Sequence, residues 1–314
     1  MPTFAASSGT SGGGQVALYQ IEQATAPRLG PYFLRTQSST THATTSEAFF
    51  DELKSSVAPG GTENLFMLRR GYKADGTTVA VSVGDRQRIA SSVDNLTGGV
   101  VPGRAWGTAP ADGELIEFHH TDPANQLRPA VLNGLRRCFF IDRVSLVLSS
   151  SATERDLTAL VPWIIQPDQI QRVQYTTTGS LILPQDLPWA EPFEQGGHVW
   201  LSSWPDEFPS TLLITARRSY FTRVNGADST TGPTADADLL DVTLSHAAAA
   251  AHIEGWKLFP AVLKAAADAG YQATQAMAAA EFTREVVVAR RRQKSSWNLS
   301  DPFPGTRMLS MRTR

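Results

Sequence analysis

Two kinds of hydrophobic pattern divide the chain. From Gln15 to about Pro123 apolar residues come in short β-prone runs: Leu65–Arg70, Thr77–Val83, Arg86–Val93, Val100–Trp106 and Glu114–His119. Turn-forming clusters separate them, Asp94–Gly99 before Val100 and Ala111–Asp112–Gly113 before Glu114. This predicts a small β-rich domain over residues 15–123 with a loop-rich entry.

The pattern then changes period. Leu127, Val131, Leu135 and Cys138 or Phe139 recur at helical spacing, with Asn125 as N-cap, Pro129 at the edge of the first turn and Arg136–Arg137 at the C-terminal end. Short runs follow at Val144–Leu148, Ile170–Tyr175, Ser180–Leu183, Val199–Ser202 and Leu212–Arg217. The segment Val161–Ile165 leads into Pro167, and turns rich in Pro and Gly divide the rest. That spacing predicts an antiparallel sheet or sandwich over residues 140–224. Asn225–Thr234 reads as a polar linker.

The last third is predicted to be helical. Thr234 caps a first helix, with Asp236 and Asp238 in its first turn. Pro260 interrupts, Gly270 ends that stretch, and a longer helix runs from Tyr271 to about Arg292. On a wheel, Leu239, Val242, His246, Ala250 and Ile253 form one stripe, and Leu240, Leu244, Ala247, Ala251 and Leu258 a second. In the longer helix Tyr271, Thr274, Ala278, Phe282, Val286 and Ala289 form the main stripe, with Met277, Ala280, Val287 and Val288 outside it. A helix apolar around most of its circumference is covered on several sides. Either a monomeric bundle or a subunit interface provides that cover. The candidate interface residues are Leu240, Leu244, Ala247, Ala251, Met277, Val287 and Val288. The predicted fold class is therefore α+β, with a tail over 1–14, a β-rich domain over 15–123, a second domain over 124–294 and an extended tail over 295–314.

Charge adds one feature. The 314 residues carry a formal net charge of -2. Eight basic residues and two acidic ones lie from Arg284 onward, so that segment is +6 and the remainder -8. The run Arg290, Arg291, Arg292 and Lys294 is either a solvated helix end favoured by the dipole or a contact for an acidic partner or a nucleic-acid backbone. The single cysteine, Cys138, excludes an internal disulfide. The Gly/Ser/Thr-rich start lacks the basic and apolar blocks of a signal peptide, and no apolar run approaches the ~20 residues that span a bilayer.

Catalytic patterns do not emerge. There is no dinucleotide-binding or phosphate-binding glycine motif and no nucleophile elbow. His119 and His120 are adjacent on a strand and point to opposite faces, which chelates one ion poorly. His246 sits on an apolar stripe and reads as a core histidine. Asp236 and Asp238 read as helix-start charges, and Cys138 as core. A hydrolase using His119 and Asp122 lacks a positioned nucleophile. Trp189, Trp200 and Trp204 suit either a sheet core or a sugar platform. No enzyme, metal or cofactor is expected.

The order of segments carries a resemblance. QLRPAVLNGLRRC (126–138), VPWIIQPDQIQRVQY (161–175), GGHVWLSS (196–203) and AAEFTREVVVARRRQK (279–294) resemble, in sequence order, the head-to-tail connector or neck adaptor proteins of tailed bacteriophages. The segment from Gly84 to Phe118 resembles a β-module that precedes such domains in phage virion proteins. VPW stands where a leucine-proline strand entry is usual. The resemblance implies a structural protein, made in the host cytoplasm and placed in the virion neck. Copies would form a ring, commonly of twelve, joining the portal protein to a downstream tail or neck protein, with DNA passing through unread. It makes Arg290, Arg291, Arg292, Lys294 and Trp297 candidates for portal contact. The alternative is a tail or baseplate protein that binds host glycans through its Trp-rich loops.

Overall fold

A computed structural model describes residues 15–30, 32–36, 65–73, 75–93, 100–119, 122–147, 154–176, 185–186, 191–202, 211–258 and 276–288. The chain is α+β, with antiparallel sheets. Its described residues divide into two compact units built from interleaved stretches: those within 17–134 with those within 247–279, and those within 15–16, 135–246 and 280–288. The units therefore do not follow the contiguous boundaries expected at 123/124. The reason is local. Gly134 lies so close to the backbone of Ala250 and Ala251 that a Cβ there would stand 2.6 Å from the Ala251 nitrogen. That approach puts residues from the last third of the chain in the same unit as the N-terminal sheet.

The first unit opens with a helix, α1 (Leu18–Leu29), in a region expected to be β. Its buried residues Leu18, Ile21, Glu22, Thr25, Ala26 and Leu29 follow a helical spacing. Two of them are polar, which hides the stripe from a purely apolar count. The strands are β1 (Tyr32–Thr36), β2 (Phe66–Lys73), β3 (Gln87–Val93), β4 (Val100–Pro102) and β5 (Glu114–His119). They form an antiparallel sheet in the order β1-β5-β2-β3-β4. Leu65, Met67, Ala90, Val100, Ile116 and Phe118 make its core.

Residues 77–83 do not form the expected strand. Beyond an isolated bridge between Tyr72 and Thr78, the chain hugs β2 through a hydrogen bond from the Val79 amide to the Gly71 carbonyl. Gly71 has φ +76°, and a Cβ there would meet the Val79 oxygen at 2.6 Å. Val83 then starts a single 3-10 turn.

The next helix, α2 (Arg128–Arg137), is entered through a five-residue π turn, Pro123–Leu127. Its cap is Asp122, not Asn125. The Asp122 carboxylate accepts from the amides of Ala124 at 3.0 Å and Asn125 at 3.2 Å. Leu127, Val131, Leu135 and Cys138 are all buried, as the periodicity requires.

The second unit holds β6 (Phe139–Val147), β7 (Arg155–Asp156), α3 (Leu157–Leu160), β8 (Ile170–Thr176), β9 (Gln185–Asp186), β10 (Pro192–Gln195), β11 (His198–Leu201) and β12 (Thr211–Ser219). Four strands order as β9-β8-β12-β6, and three as β10-β11-β7. Leu157, Val161, Trp163, Ile164, Val173, Val199, Leu201, Leu212, Ile214 and Ala216 form one core. Residues 161–165 thus supply core side chains without being a strand, and Ser180–Leu183 lies outside the described residues.

The expected linker at 225–234 is partly a hairpin. Strands β13 (Arg223–Val224) and β14 (Ala227–Asp228) are joined by Asn225 at φ 53° and Gly226 at φ 78°, the mirror-image turn that Asn-Gly favours. Asp238 does not lie in a first helical turn. Its carboxylate accepts from the amides of Thr234 at 2.7 Å and Ala235 at 2.9 Å, and the helix α4 begins only at Leu244, running to Leu258. Leu239, Leu240 and Val242 precede it and belong to no helical stripe. A final helix, α5, is described over residues 276–288. Among the described residues no helix is long and apolar enough to cross a membrane.

Candidate functional site: buried charge and an exposed helix face

Successive residues of a strand face opposite sides of its sheet. Arg69 and Arg70 on β2 use this to drive two charges into opposite faces of one sheet. On the core face Arg69 makes a bidentate pair with Glu114, both bonds 2.8 Å, with neither side chain exposed. Its remaining arm donates to the Thr108 carbonyl at 2.6 Å, and Glu114 also accepts from the Ala111 amide at 2.9 Å.

On the other face Arg70 donates twice to Glu117 at 3.1 Å and once to Glu22 of α1. Glu117 further accepts from Gln23 at 2.6 Å and shares a 2.9 Å hydrogen bond with His119 Nε2. Arg128 lies 3.4 Å from Glu22. Burial alone would raise the Glu117 carboxyl. The Arg70 guanidinium, and then His119, outweigh it and hold Glu117 down at about 2. The Tyr32 ring tilts over His119 at 5.0 Å, and burial pushes its phenol up. These groups fasten α1 to the sheet. Every carboxylate oxygen of Glu117 is already engaged, so the arrangement holds structure rather than presenting an acid or base to a substrate.

The residues weighed for hydrolysis have separate partners. His119 serves Glu117. Asp122 caps the π turn and accepts from Gln87 at 3.1 Å. Trp200 donates its indole N–H to the Gln195 carbonyl at 3.2 Å, while Trp189 and Trp204 lie outside the described residues. Trp163, absent from the sequence candidates, is buried beneath Arg218, whose guanidinium stands 4.9 Å above its ring. Cys138 is buried, and burial pushes its thiol up to about 12. A shallow cleft lined by Gln87, Arg88, Ile89, Gly103 and Arg104 opens beside β3. Its Arg88 is already committed to the carbonyls of Gly84 and Gln87 and to Asp85. Among the described residues no three metal-ligating side chains converge.

The interface candidates separate cleanly. Leu240, Ala247 and Ala251 are fully buried by the chain itself, so none of them offers a surface. The helix apolar all round is indeed covered at Ala247–Ala251, where five successive alanines are buried, but the cover comes from this chain. Leu244, Met277 and Val287 are exposed, Met277 by 71% and Val287 by 43%, and Val288 is half-buried. On α5 the exposed residues Ala276, Met277, Ala280, Thr283, Arg284 and Val287 share one side, and Ala278 and Glu285 occupy the buried one. Arg290, Arg291, Arg292, Lys294 and Trp297 lie outside the described residues. No protein-family model matches the chain, and no curated protein or solved structure matches it either.

Proposed function

We propose that the chain is a structural assembly protein that forms a ring in the neck of a tailed bacteriophage, joining portal to tail while DNA passes through the lumen. The observation that carries the assembly reading is the outer face of α5. Met277, Val287 and Ala280 are left in solvent on a helix whose opposite side is buried. An apolar helix face left open to solvent suits contact with another copy. The outward residues Phe139 and Val147 of β6 add apolar surface of the same kind. The order of segments that resembles neck adaptors gives the assembly its place, and the basic run from Arg290 gives it a docking element for the portal.

Mass photometry and negative-stain electron microscopy test this on the full chain, alone and with portal protein. A ring is expected. The double change Met277→Asp with Val287→Asp should lower the assembled fraction at least about tenfold, a loss of roughly 1.4 kcal/mol per contact. Replacing Arg290, Arg291 and Arg292 together by alanine should weaken portal docking and its salt dependence. A chain that stays monomeric at high concentration with portal present overturns the reading.

A further inference from the structure

Helix α5 meets the first turn of α4 at a place that holds a titratable group with no hydrogen-bond partner among the described residues. Ser245 donates to Glu285 at 3.0 Å. The next residue, His246, is only 2% exposed and lies between two rings. Tyr220 meets it edge-on at 6.1 Å and Phe282 of α5 lies at 5.8 Å. Neither ring nitrogen of His246 has a hydrogen-bond partner among the described residues.

A neutral imidazole tolerates such a slot, whereas an imidazolium does not: it adds a charge and a second N–H donor where nothing accepts. The charged and titratable groups around it are few. Tyr220 faces it from the turn after β12, and α5 supplies Glu285. On α4 its neighbours Leu244 and Ser245 carry no charge. One Glu285 oxygen is taken by Ser245 and the other by Arg284 at 3.3 Å.

We infer that His246 is an acid-released latch: docked α5 requires the neutral ring, and protonation frees the helix and uncovers Phe282 and Tyr220. Burial pushes the His246 ring below its ordinary range, only partly offset by Glu285. The sign follows. With the docked value depressed, docking is complete above the free value of about 6.5, and each pH unit below it lowers the docked-to-free ratio by up to about tenfold. The inference is independent of what the outer face of α5 binds.

Hydrogen exchange of the full chain reads the latch directly. Protection over 276–288, corrected for intrinsic rates, should fall by up to about fivefold between pH 6.5 and 5.5, while β12 keeps its protection. His246→Phe should abolish that fall, and Glu285→Gln should keep it. Equal protection at both pH values overturns the inference. So does a fall that persists in His246→Phe or vanishes in Glu285→Gln. If His246→Phe does not fold, imidazole resonances of the wild-type chain decide. Charging of His246 must coincide with loss of protection, and a charged ring under a protected α5 sinks the latch.

Discussion

Glu117 and His246 are both buried titratable side chains, and the chain treats them in opposite ways. Glu117 receives Arg70 twice, Gln23 once and His119 once. Among the described residues His246 receives no hydrogen bond, and it meets the edge of Tyr220 and the tilted ring of Phe282. The first is a buried charge made tolerable by saturating every lone pair. The second is a buried group whose burial favours the uncharged form, with Glu285 offsetting that only in part. The number of partners at a buried site therefore sets which protonation state folding selects, and over what pH range folding can feel it.

Breaking the saturated site should have the largest effect. Glu117→Ala removes two of the carboxylate hydrogen bonds that Arg70 donates, and removal of one member of a buried pair costs about 3–5 kcal/mol. Chemical denaturation measures this as a lowered midpoint with unchanged slope. A loss below 1 kcal/mol would mean that Glu117 is solvated in solution. Acid should expose the same asymmetry. The Glu117 carboxyl is held at about 2, below its ordinary 4.5. Its contribution, roughly 3 kcal/mol, is full above pH 4.5 and is lost as pH falls toward 2. The His246 effect comes earlier, as pH drops below about 6.5. Two separated acid phases are expected, of which Glu117→Gln should remove the lower. Removing one donor is milder. His119→Phe keeps a ring against Tyr32 but leaves Glu117 one hydrogen bond short, which should cost about 1–3 kcal/mol by thermal or chemical unfolding.

Some of this was legible in the residues and some was not. Glu114–His119 is a strand with the expected limits because its turn, Ala111–Asp112–Gly113, and its alternation agree. The helical stripe ending at Cys138 is buried as its period requires. The helix α1 is hidden in the sequence because Glu22 and Thr25 fill positions where an apolar residue would betray the period, and Pro27 reads as a breaker. The same physics hid the buried pairs: Arg69 and Arg70 on a strand look like solvent charges until Glu114 and Glu117 arrive from a segment some 45 residues away. Asn225–Gly226 did carry a local signal, the mirror-turn dipeptide, inside a stretch whose polarity suggested a linker. His246 was recognisable as a core histidine from its stripe. Its missing partners were not, since they depend on which side chains α5 and Tyr220 bring to it.

The smallest expected effect is the most discriminating. In most cores, replacing a buried polar side chain costs stability because a partner is left unsatisfied. At His246 no hydrogen-bond partner among the described residues is there to be orphaned, and folding strips water from two buried ring nitrogens. His246→Phe removes that desolvation, adds little volume, and keeps aromatic edges toward Tyr220 and Phe282. At pH 7.5 it should therefore be neutral or stabilising by up to about 1 kcal/mol, the reverse of His119→Phe. Paired denaturation curves of the two variants measure the difference. If His246→Phe instead costs as much as His119→Phe, the ring nitrogens are satisfied in solution and the contrast between the two sites collapses.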